Sequence, residues 1–329
     1  MSARLRGIAK ETEEIVRSGV YRAPDGREVV LRAAVDAAVA GTRMYGPGRV
    51  GPAGPPVRPT ASGGTDRNAS GGTDRNASGG TDRNASGGTD RAAPAVEVTG
   101  ESSLDAARRL TAADPGAPVA VLNFASARNP GGGYLNGAQA QEEALCRASA
   151  LHTTLRAAPE FYAHHRADRD PFYTDRVIHS PGVPVFRDDR GRLLDTPYQV
   201  GFLTSPAPNA GVIARRAPED VHRIPAALAA RAERVLETAV AGGYRRLVLG
   251  AWGCGVFRND PAAVAAAFRA LLTGAGRFAG AFDETVFAVL DRTRETTTLG
   301  AFRRVLGQPE RPDPPAQELT SSRTAPSAG

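Results

Sequence analysis

Two adjacent glutamates follow a run of three glycines near the middle of the chain. The segment consists of Gly131, Gly132 and Gly133, a spacer of seven residues, and then Gln141, Glu142 and Glu143. A carboxylic acid can protonate a leaving oxygen and, once ionised, accept a proton from an attacking water. Consecutive glycines let a backbone approach a ligand closely and direct its N–H groups at an anion. The segment therefore predicts a close-approach loop beside two carboxylates.

The two glutamates lie in the first turn of a predicted helix. Neighbouring positions on an ideal helix are about 100° apart, so one carboxylate can face the cleft of the loop while the other anchors the loop or holds a sugar hydroxyl. A simpler interpretation is a favourable contact with the helix dipole, worth about 0.3–1 kcal/mol. The three glycines could likewise form an ordinary turn. Taken alone, this segment leaves both interpretations open.

A second unusual loop follows the apolar run at residues 247–251. It contains Trp252, Gly253, Cys254, Gly255, Val256 and Phe257, and continues through Arg258 and Asn259 to Asp260 and Pro261. Asp and Pro in these positions predict a capped helix start. A strand, a Gly-x-Gly turn and a helix N-terminus predict an anion site. The glycine spacing matches neither the dinucleotide fingerprint nor a P-loop. Phe257 either belongs to the core or packs on a ligand.

The elements that must position these loops alternate along the main part of the chain. Candidate strands lie at 96–98, 119–124, 176–179, 200–204, 246–251 and 285–290, and candidate helices at 103–112, 139–155, 225–241 and 261–272. Such alternation predicts an α/β fold with three α/β/α layers around a mostly parallel sheet. Residues 183–198 are too few for a helical crossover and predict an antiparallel hairpin, which makes the sheet mixed. Ligands of such sheets bind beyond the carboxyl ends of strands, where both loops lie.

Four regions are predicted along the chain. Residues 1–45 show helical spacing of Ile8, Ile15 and Val16 and a possible strand at 28–32, and we expect them to form an extension packed on the main body. Residues 46–94 contain an eight-residue repeat and predict a flexible insertion. A Ca²⁺-binding repeat is disfavoured because each copy has one acid and no apolar position. Residues 95–307 form the main body, and 308–329 predict a disordered tail.

Composition excludes several classes of protein. No apolar run approaches the roughly 20 residues that a membrane span needs, so we expect a cytoplasmic protein without membrane contact. Cys146 and Cys254 lack metal-ligand spacing, which predicts neither a disulfide framework nor a metal site. The formal charge of +6 is due mostly to arginine, since Lys10 is the only lysine. This charge would favour encounter with phosphate-rich ligands without choosing among them.

Together, the two loops resemble those of the bacterial-type poly(ADP-ribose) glycohydrolases, a branch of the macrodomain superfamily. The family's hallmark is Gly-Gly-Gly, a short spacer and Gln-Glu-Glu, matched here by residues 131–133 and 141–143. The similarity extends over residues 123–126, 129–130, 250–257 and, more faintly, 8–12. It covers nearly everything except the repeat insertion and the tail. It implies a macrodomain-like fold with an N-terminal helical extension.

The resemblance also implies roles for individual residues. Glu143 would be the general acid and base that breaks the ribose–ribose O-glycosidic bond and releases ADP-ribose, with Glu142 as its positioning neighbour. Asn129, Gln141 and Glu142 would hold the ribose and order the loop. The remaining contacts with the terminal ADP-ribose would come from Asn123, from Gly131, Gly132 and Gly133, and from Gly253, Cys254, Gly255, Val256 and Phe257.

Other functions remain open at this point. A macrodomain that only binds ADP-ribose would share the second loop without needing adjacent glutamates, and a hydrolase of mono-ADP-ribosyl groups would use the same pocket. Ser-His-Asp catalysis has no support, since no nucleophile-elbow motif is present. We expect no cofactor and no metal. The expected partners are poly(ADP-ribose), ADP-ribose and ADP-ribosylated proteins, with no direct binding of nucleic acid, and the expected state is a monomer.

Overall fold

The computed structural model describes residues 2–51 and 95–307. The strands are β1 (Val20–Arg22), β2 (Glu28–Val30), β3 (Arg43–Tyr45), β4 (Ala95–Thr99), β5 (Val119–Phe124), β6 (Val177–Arg187), β7 (Leu193–Ser205), β8 (Arg246–Gly250) and β9 (Glu284–Ala288). The helices are α1 (Ala3–Ser18), α2 (Arg32–Gly41), α3 (Ser103–Ala113), α4 (Gln141–Ala148), α5 (Leu151–Arg156), α6 (Pro159–Ala167), α7 (Ala210–Arg216), α8 (Ile224–Ala241), α9 (Pro261–Leu272) and α10 (Thr297–Leu306).

A seven-stranded sheet in the order β3-β6-β7-β5-β8-β9-β4 forms the centre of the protein. The five strands from β7 to β4 are parallel to their neighbours, whereas β6 is antiparallel to both β3 and β7. This confirms the predicted mixed, mostly parallel α/β fold. The predicted hairpin is the long β6–β7 pair. The carboxyl ends of β5, β7 and β8 lie side by side at one edge.

Side chains of β5 alternate between two apolar cores, one on each face of the sheet. Val119 and Val121 belong to the core that includes α1–α5, while Ala120 and Leu122 belong to the core beneath α8–α10. Alternation with a period of two places successive strand residues on opposite faces. All four side chains are at most 1% exposed, which explains why β5 reads as a continuous apolar run.

The single helix predicted at 139–155 is wrong, because the chain breaks into α4 and α5. Ser149 takes an extended conformation (φ −146°, ψ 177°) and forms a bridge with Val185 of β6. The next residue, Ala150, donates its N–H to the Pro184 carbonyl oxygen at 3.1 Å. Hydrogen bonding to the neighbouring strand thus replaces helix continuation. Apolar spacing alone does not reveal such a contact.

The N-terminal segment contributes directly to the central sheet. β3 pairs with the edge of β6, and α1 packs beside the glycine loop. The predicted strand at 28–32 forms part of the separate β1–β2 hairpin. The predictions for residues 52–94 and 308–329 lie outside the described residues. Among the helices of residues 2–51 and 95–307, none is long and apolar enough to cross a membrane.

Candidate active site

Gln141 fixes the start of α4 against β5. Its side-chain oxygen accepts the Phe124 N–H at 2.9 Å, and its amide nitrogen donates to the Leu122 carbonyl at 2.8 Å and to Ser103 Oγ at 3.1 Å. Both ends of the side chain are therefore bound by the protein. The structure directs the Gln141 side chain at the sheet, and its role in ordering the loop and holding the ribose stays a prediction.

Glu142 is buried beneath the loop that follows β5. Its carboxylate accepts the Ser126 N–H at 2.7 Å and the Asn123 side-chain amide at 3.3 Å, and the Gly131 N–H also donates to it. Asn123 is itself held by Thr204 Oγ1 at 3.2 Å. Burial raises the pKa of Glu142 to about 8, and the neighbouring charge of Glu143 adds to the shift, while the donors from Ser126, Asn123 and Gly131 lower it.

Glu143 has one bound oxygen and one free oxygen. Oε1 accepts the Gly133 N–H at 2.9 Å. Oε2 is buried from solvent and has no hydrogen-bond partner within the described part of the chain. A buried carboxylate oxygen without a partner is costly, and it is free to accept a further hydrogen bond. Glu143 is thus the member of the pair that is available for chemistry.

The amides of the glycine loop bind acceptors within the protein. The Gly131 N–H donates to Glu142, the Gly132 N–H to the Asn129 carbonyl at 3.0 Å, and the Gly133 N–H to Glu143. The expectation that these amides point at a ligand anion is therefore wrong for this structure. The glycines are needed for another reason: Gly132 has φ +56°, and a Cβ there would lie 2.5 Å from Glu143 Oε1.

The second loop provides the free backbone donors. Among the described residues, the amides of Gly253, Gly255, Val256 and Phe257 have no acceptor. The loop is shaped by Asn259, whose side chain donates to the Gly253 carbonyl at 3.2 Å and to the Pro208 carbonyl at 2.8 Å. These four N–H groups are therefore free to donate to a ligand, as backbone amides of turns do in phosphate sites.

The helix that follows the second loop begins as predicted, with its N-terminus capped. Asp260 is the N-cap of α9, Pro261 occupies the first turn, and the Asp260 carboxylate accepts the Ala262 N–H at 3.1 Å. A negatively charged cap makes this helix end unsuitable for a second anion. The anion site predicted from the turn and the helix terminus stays a prediction, and the free amides among the described residues lie in the turn at 253–257.

The two loops meet at the carboxyl end of β7. The Ser205 carbonyl accepts the Ala125 N–H at 3.2 Å from the first loop and the Trp252 indole N–H at 2.9 Å from the second. At the rim, Tyr173 lies between the Arg128 guanidinium, 6.0 Å from its ring centre, and the Phe257 ring at 5.9 Å. The loop after β5 and the loop after β8 are therefore held side by side through Ser205 and Tyr173.

The remaining predicted residues differ in how they face the cleft. Asn129 is exposed at the loop tip, and Val256 is 79% exposed. Cys254 is turned inward, where it packs against the core and its thiol lies 3.8 Å from the Trp252 carbonyl. Burial raises the pKa of Cys254 to about 12, which keeps it a thiol. Cys254 is therefore a packing residue of the loop.

Several residues of the site were missed in the sequence. Tyr173 and Thr204 carry no motif, and Ser126 and Asn259 lie in the singled-out segments but were assigned no role. Asn259 had a usable signal, because a polar residue just before a helix cap often hydrogen-bonds a neighbouring turn. Within residues 2–51 and 95–307, no group of three or more His, Cys, Asp or Glu side chains could hold a metal ion.

Comparison with known proteins identifies the family. The model of the catalytic domain of microbial-type poly(ADP-ribose) glycohydrolase (PARG) matches residues 9–188, which is more than half of the chain. The chain belongs to this family. A comparison with curated proteins found no match.

Solved structures of bacterial PARG enzymes resemble this protein along most of its length. The PARG from Thermomonospora curvata is 46% identical, with a TM-score of 0.77, covering 92% of this chain and 100% of that one. Its complex with the inhibitor ADP-HPD has a TM-score of 0.76. The PARG from Deinococcus radiodurans in complex with ADP-ribose is 52% identical, with a TM-score of 0.61, over 65% of this chain and 84% of that one.

Proposed function

We propose that this microbial-type PARG hydrolyses the ribose–ribose O-glycosidic bonds of poly(ADP-ribose) and releases ADP-ribose, with Glu143 as the general acid and base. The observation that carries the assignment is the unpaired, buried Oε2 of Glu143 beside a fully bound Glu142. The solved relatives bind ADP-ribose or the inhibitor ADP-HPD, which supports an ADP-ribose substrate.

The reaction needs two proton transfers at Glu143, one to the leaving oxygen and one from the attacking water. Glu143 in its acid form gives its proton to the leaving ribose oxygen as the glycosidic bond breaks and positive charge develops on the sugar. The Glu143 carboxylate then takes a proton from the water that attacks this sugar carbon, which restores the acid. The Gly133 N–H holds the other oxygen in place throughout.

The second loop would bind the diphosphate of the substrate. Its four free amides match the negative oxygens of a diphosphate, and Phe257 offers an apolar face beside Tyr173. A diphosphate held there also places negative charge near the developing oxocarbenium ion. Glu142 stays a positioning residue, because both of its oxygens are bound by loop donors.

The test is hydrolysis of labelled poly(ADP-ribose) without added metal by the parent chain and by Glu143→Gln. The parent should release free ADP-ribose. We expect the variant to be about 10²- to 10⁴-fold slower, which is the usual contribution of general acid–base catalysis. Binding of ADP-ribose, followed by calorimetry, should remain because the second loop is unchanged.

Two outcomes would contradict the proposal. Retained turnover in Glu143→Gln would show that another group supplies the proton. Tight binding of the polymer without turnover by the parent would indicate a binding module. Glu160→Gln, which changes an exposed glutamate in the first turn of α6, is the matched control and should leave the rate unchanged.

A further inference from the structure

A cavity of about 200 Å³ lies beside the second loop, outside the residues assigned above to catalysis. It is lined by Asn209, Gly211, Val212, Arg215, Val256 and Arg258. Two arginines and one asparagine thus line a space that is open to solvent. The cavity is continuous with the proposed diphosphate loop, because Val256 and Arg258 flank Phe257 and the Gly211 N–H donates to the Phe257 carbonyl at 2.9 Å.

The positive charges of this cavity are not neutralised by the protein. In the part of the chain that the structure describes, neither Arg215 nor Arg258 forms an ion pair, whereas the nearby Arg223 pairs with Asp220 at 2.9 Å. Asn209 uses its side-chain oxygen to cap the Val212 N–H at 3.1 Å, and its NH₂ group has no acceptor among the described residues. The cavity therefore presents donors and no competing carboxylate.

The backbone conformation of Arg258 directs its side chain toward α7. Arg258 has φ +60°, a left-handed conformation that costs energy for any residue except glycine. Its N–H donates to the Gly255 carbonyl at 3.1 Å, which holds the turn. The side-chain stem crosses Gly211 so closely that a Cβ there would lie 3.1 Å from Arg258 Cδ. The left-handed turn therefore places the Arg258 side chain against α7, where Arg258 lines the cavity.

We infer that this cavity is a second phosphate subsite, which binds the diphosphate of the poly(ADP-ribose) unit next to the one being cleaved. The inference rests on the proposed function, since it concerns the same polymer. Each unit of the polymer carries two phosphates, and guanidinium groups bind phosphate oxygens through paired N–H donors. The free amides of the second loop would serve one unit, and Arg215 and Arg258 would serve its neighbour. The enzyme would then prefer polymer over an isolated ADP-ribosyl group.

The test compares Arg215→Gln/Arg258→Gln with the unchanged cavity, both in a Glu143→Gln background so that binding is measured without turnover. Labelled poly(ADP-ribose) and ADP-ribose are the two probes. Polymer binding should weaken about tenfold at 0.1 M salt, and its dependence on salt should become shallower by about one to two in log–log slope. The affinity for ADP-ribose should not change. Arg216→Gln, also exposed on α7 but outside the cavity, is the matched control.

Either of two results would overturn the inference. An unchanged affinity for the polymer would show that the cavity binds no phosphate. An equal loss for ADP-ribose would place the arginines in the site of the terminal unit. If Arg258→Gln lowers the thermal stability, the affinities of the Arg215→Gln variant for polymer and for ADP-ribose are compared instead, and the same two results would overturn the inference. A parent chain that binds polymer but does not hydrolyse it would overturn the proposed function and leave the binding comparison valid.

Discussion

Glu142 and Glu143 are adjacent in the chain, yet their surroundings give them different chemistry. Within the part of the chain that the structure describes, Glu142 receives N–H donors from Ser126 and Gly131 and an amide from Asn123, whereas Glu143 receives only the Gly133 N–H. Both carboxylates are buried, so hydrogen bonds decide which oxygens remain available. A helix turn of about 100° between neighbours is enough to separate the two roles.

Gly132→Ala should disable the site through a single added methyl group. The added Cβ would lie 2.5 Å from Glu143 Oε1, and the alanine would have to keep the backbone φ of +56° that glycine has here. The loop or the Glu143 side chain must therefore move. We expect kcat to fall about 100-fold, as for a catalytic group misplaced by roughly 1 Å. Gly243→Ala is the matched control, since Gly243 also has positive φ (+76°) but no atom near its Cβ position. Equal kcat losses in both variants would contradict the steric explanation.

Glu142→Gln should change how stability depends on pH. Because the pKa of Glu142 rises from 4.5 to about 8 on folding, the native state binds this proton more tightly than the unfolded chain within that interval. The free energy of unfolding contributed by Glu142 therefore falls as the pH rises from about 4.5 to 8, by at most about 1.4 kcal/mol per pH unit. In denaturant unfolding at pH 5, 6, 7 and 8, the free energy of unfolding of the parent minus that of the variant should fall steadily as the pH rises. A constant difference would count against a buried proton on Glu142.

At the scale of elements, helix α1 supports the glycine loop from behind. Tyr134, directly after the glycines, donates its hydroxyl to the Glu13 carboxylate at 3.1 Å, and His152 of α5 contacts the same oxygen at 3.0 Å. Burial opposes ionisation of Glu13, but these hydrogen bonds hold its pKa below the usual value. The α1 helix also closes on the loop at Gly137, where a Cβ would lie 2.7 Å from the Ser2 carbonyl. One carboxylate on α1 thus joins the loop and α5.

Glu13→Gln should weaken the contacts that hold the glycine loop, although Glu13 lies outside the residues proposed to bind the substrate. A neutral amide cannot accept both donors with the strength of a carboxylate, and a hydrogen bond to a charged group is worth about 1.5–3 kcal/mol. We expect kcat to fall about tenfold while KM changes little, since the second loop is unaffected. Glu14→Gln, the next residue on α1, removes an exposed partner of Arg17 and should leave kcat unchanged. A rise in KM alone would contradict a positioning role for Glu13.

Elements set by neighbouring residues could be predicted from the sequence, whereas elements set by hydrogen bonds to distant residues could not. Strand β5 and helix α9 follow from the apolar run at 119–124 and from the Asp260–Pro261 cap, and the structure places them at the predicted residues. The break between α4 and α5 depends on Val185, a residue far along the chain, so spacing could not reveal it. Strand β3 is three residues long and exists because the edge of β6 is available to it.

At the scale of the whole molecule, the N-terminal segment completes both the sheet and the core. β3 covers the edge of β6, while Ile15, Val16, Leu31 and Val35 join the core on the side of the glycine loop. Each buried aliphatic side chain contributes about 1.5–3 kcal/mol. Four such side chains match the entire net stability of a typical domain, which is about 5–15 kcal/mol. The segment is therefore part of the folding unit.

Deletion of residues 1–45 should abolish stable folding. The truncated chain would lose these apolar contacts and expose the edge of β6, which is prone to pairing with another chain. We expect no cooperative thermal transition in circular dichroism and elution as aggregates in size-exclusion chromatography. The full-length chain in the same buffer is the reference. A truncated chain that melts cooperatively as a monomer would show that the remaining residues fold independently.

The sequence by itself determined the α/β alternation, the two loops at strand ends and the family to which they belong. These features are local, since periodicity, glycine runs and helix caps are set by neighbouring residues. The tertiary structure decided the rest: which oxygen of Glu143 stays free, why the amides of Gly131–Gly133 are not available to a ligand, and how Tyr173 and Ser205 join the loops. Each of these depends on hydrogen bonds between residues distant in the chain. Such contacts exist only after the sheet has brought the ends of β5, β7 and β8 together.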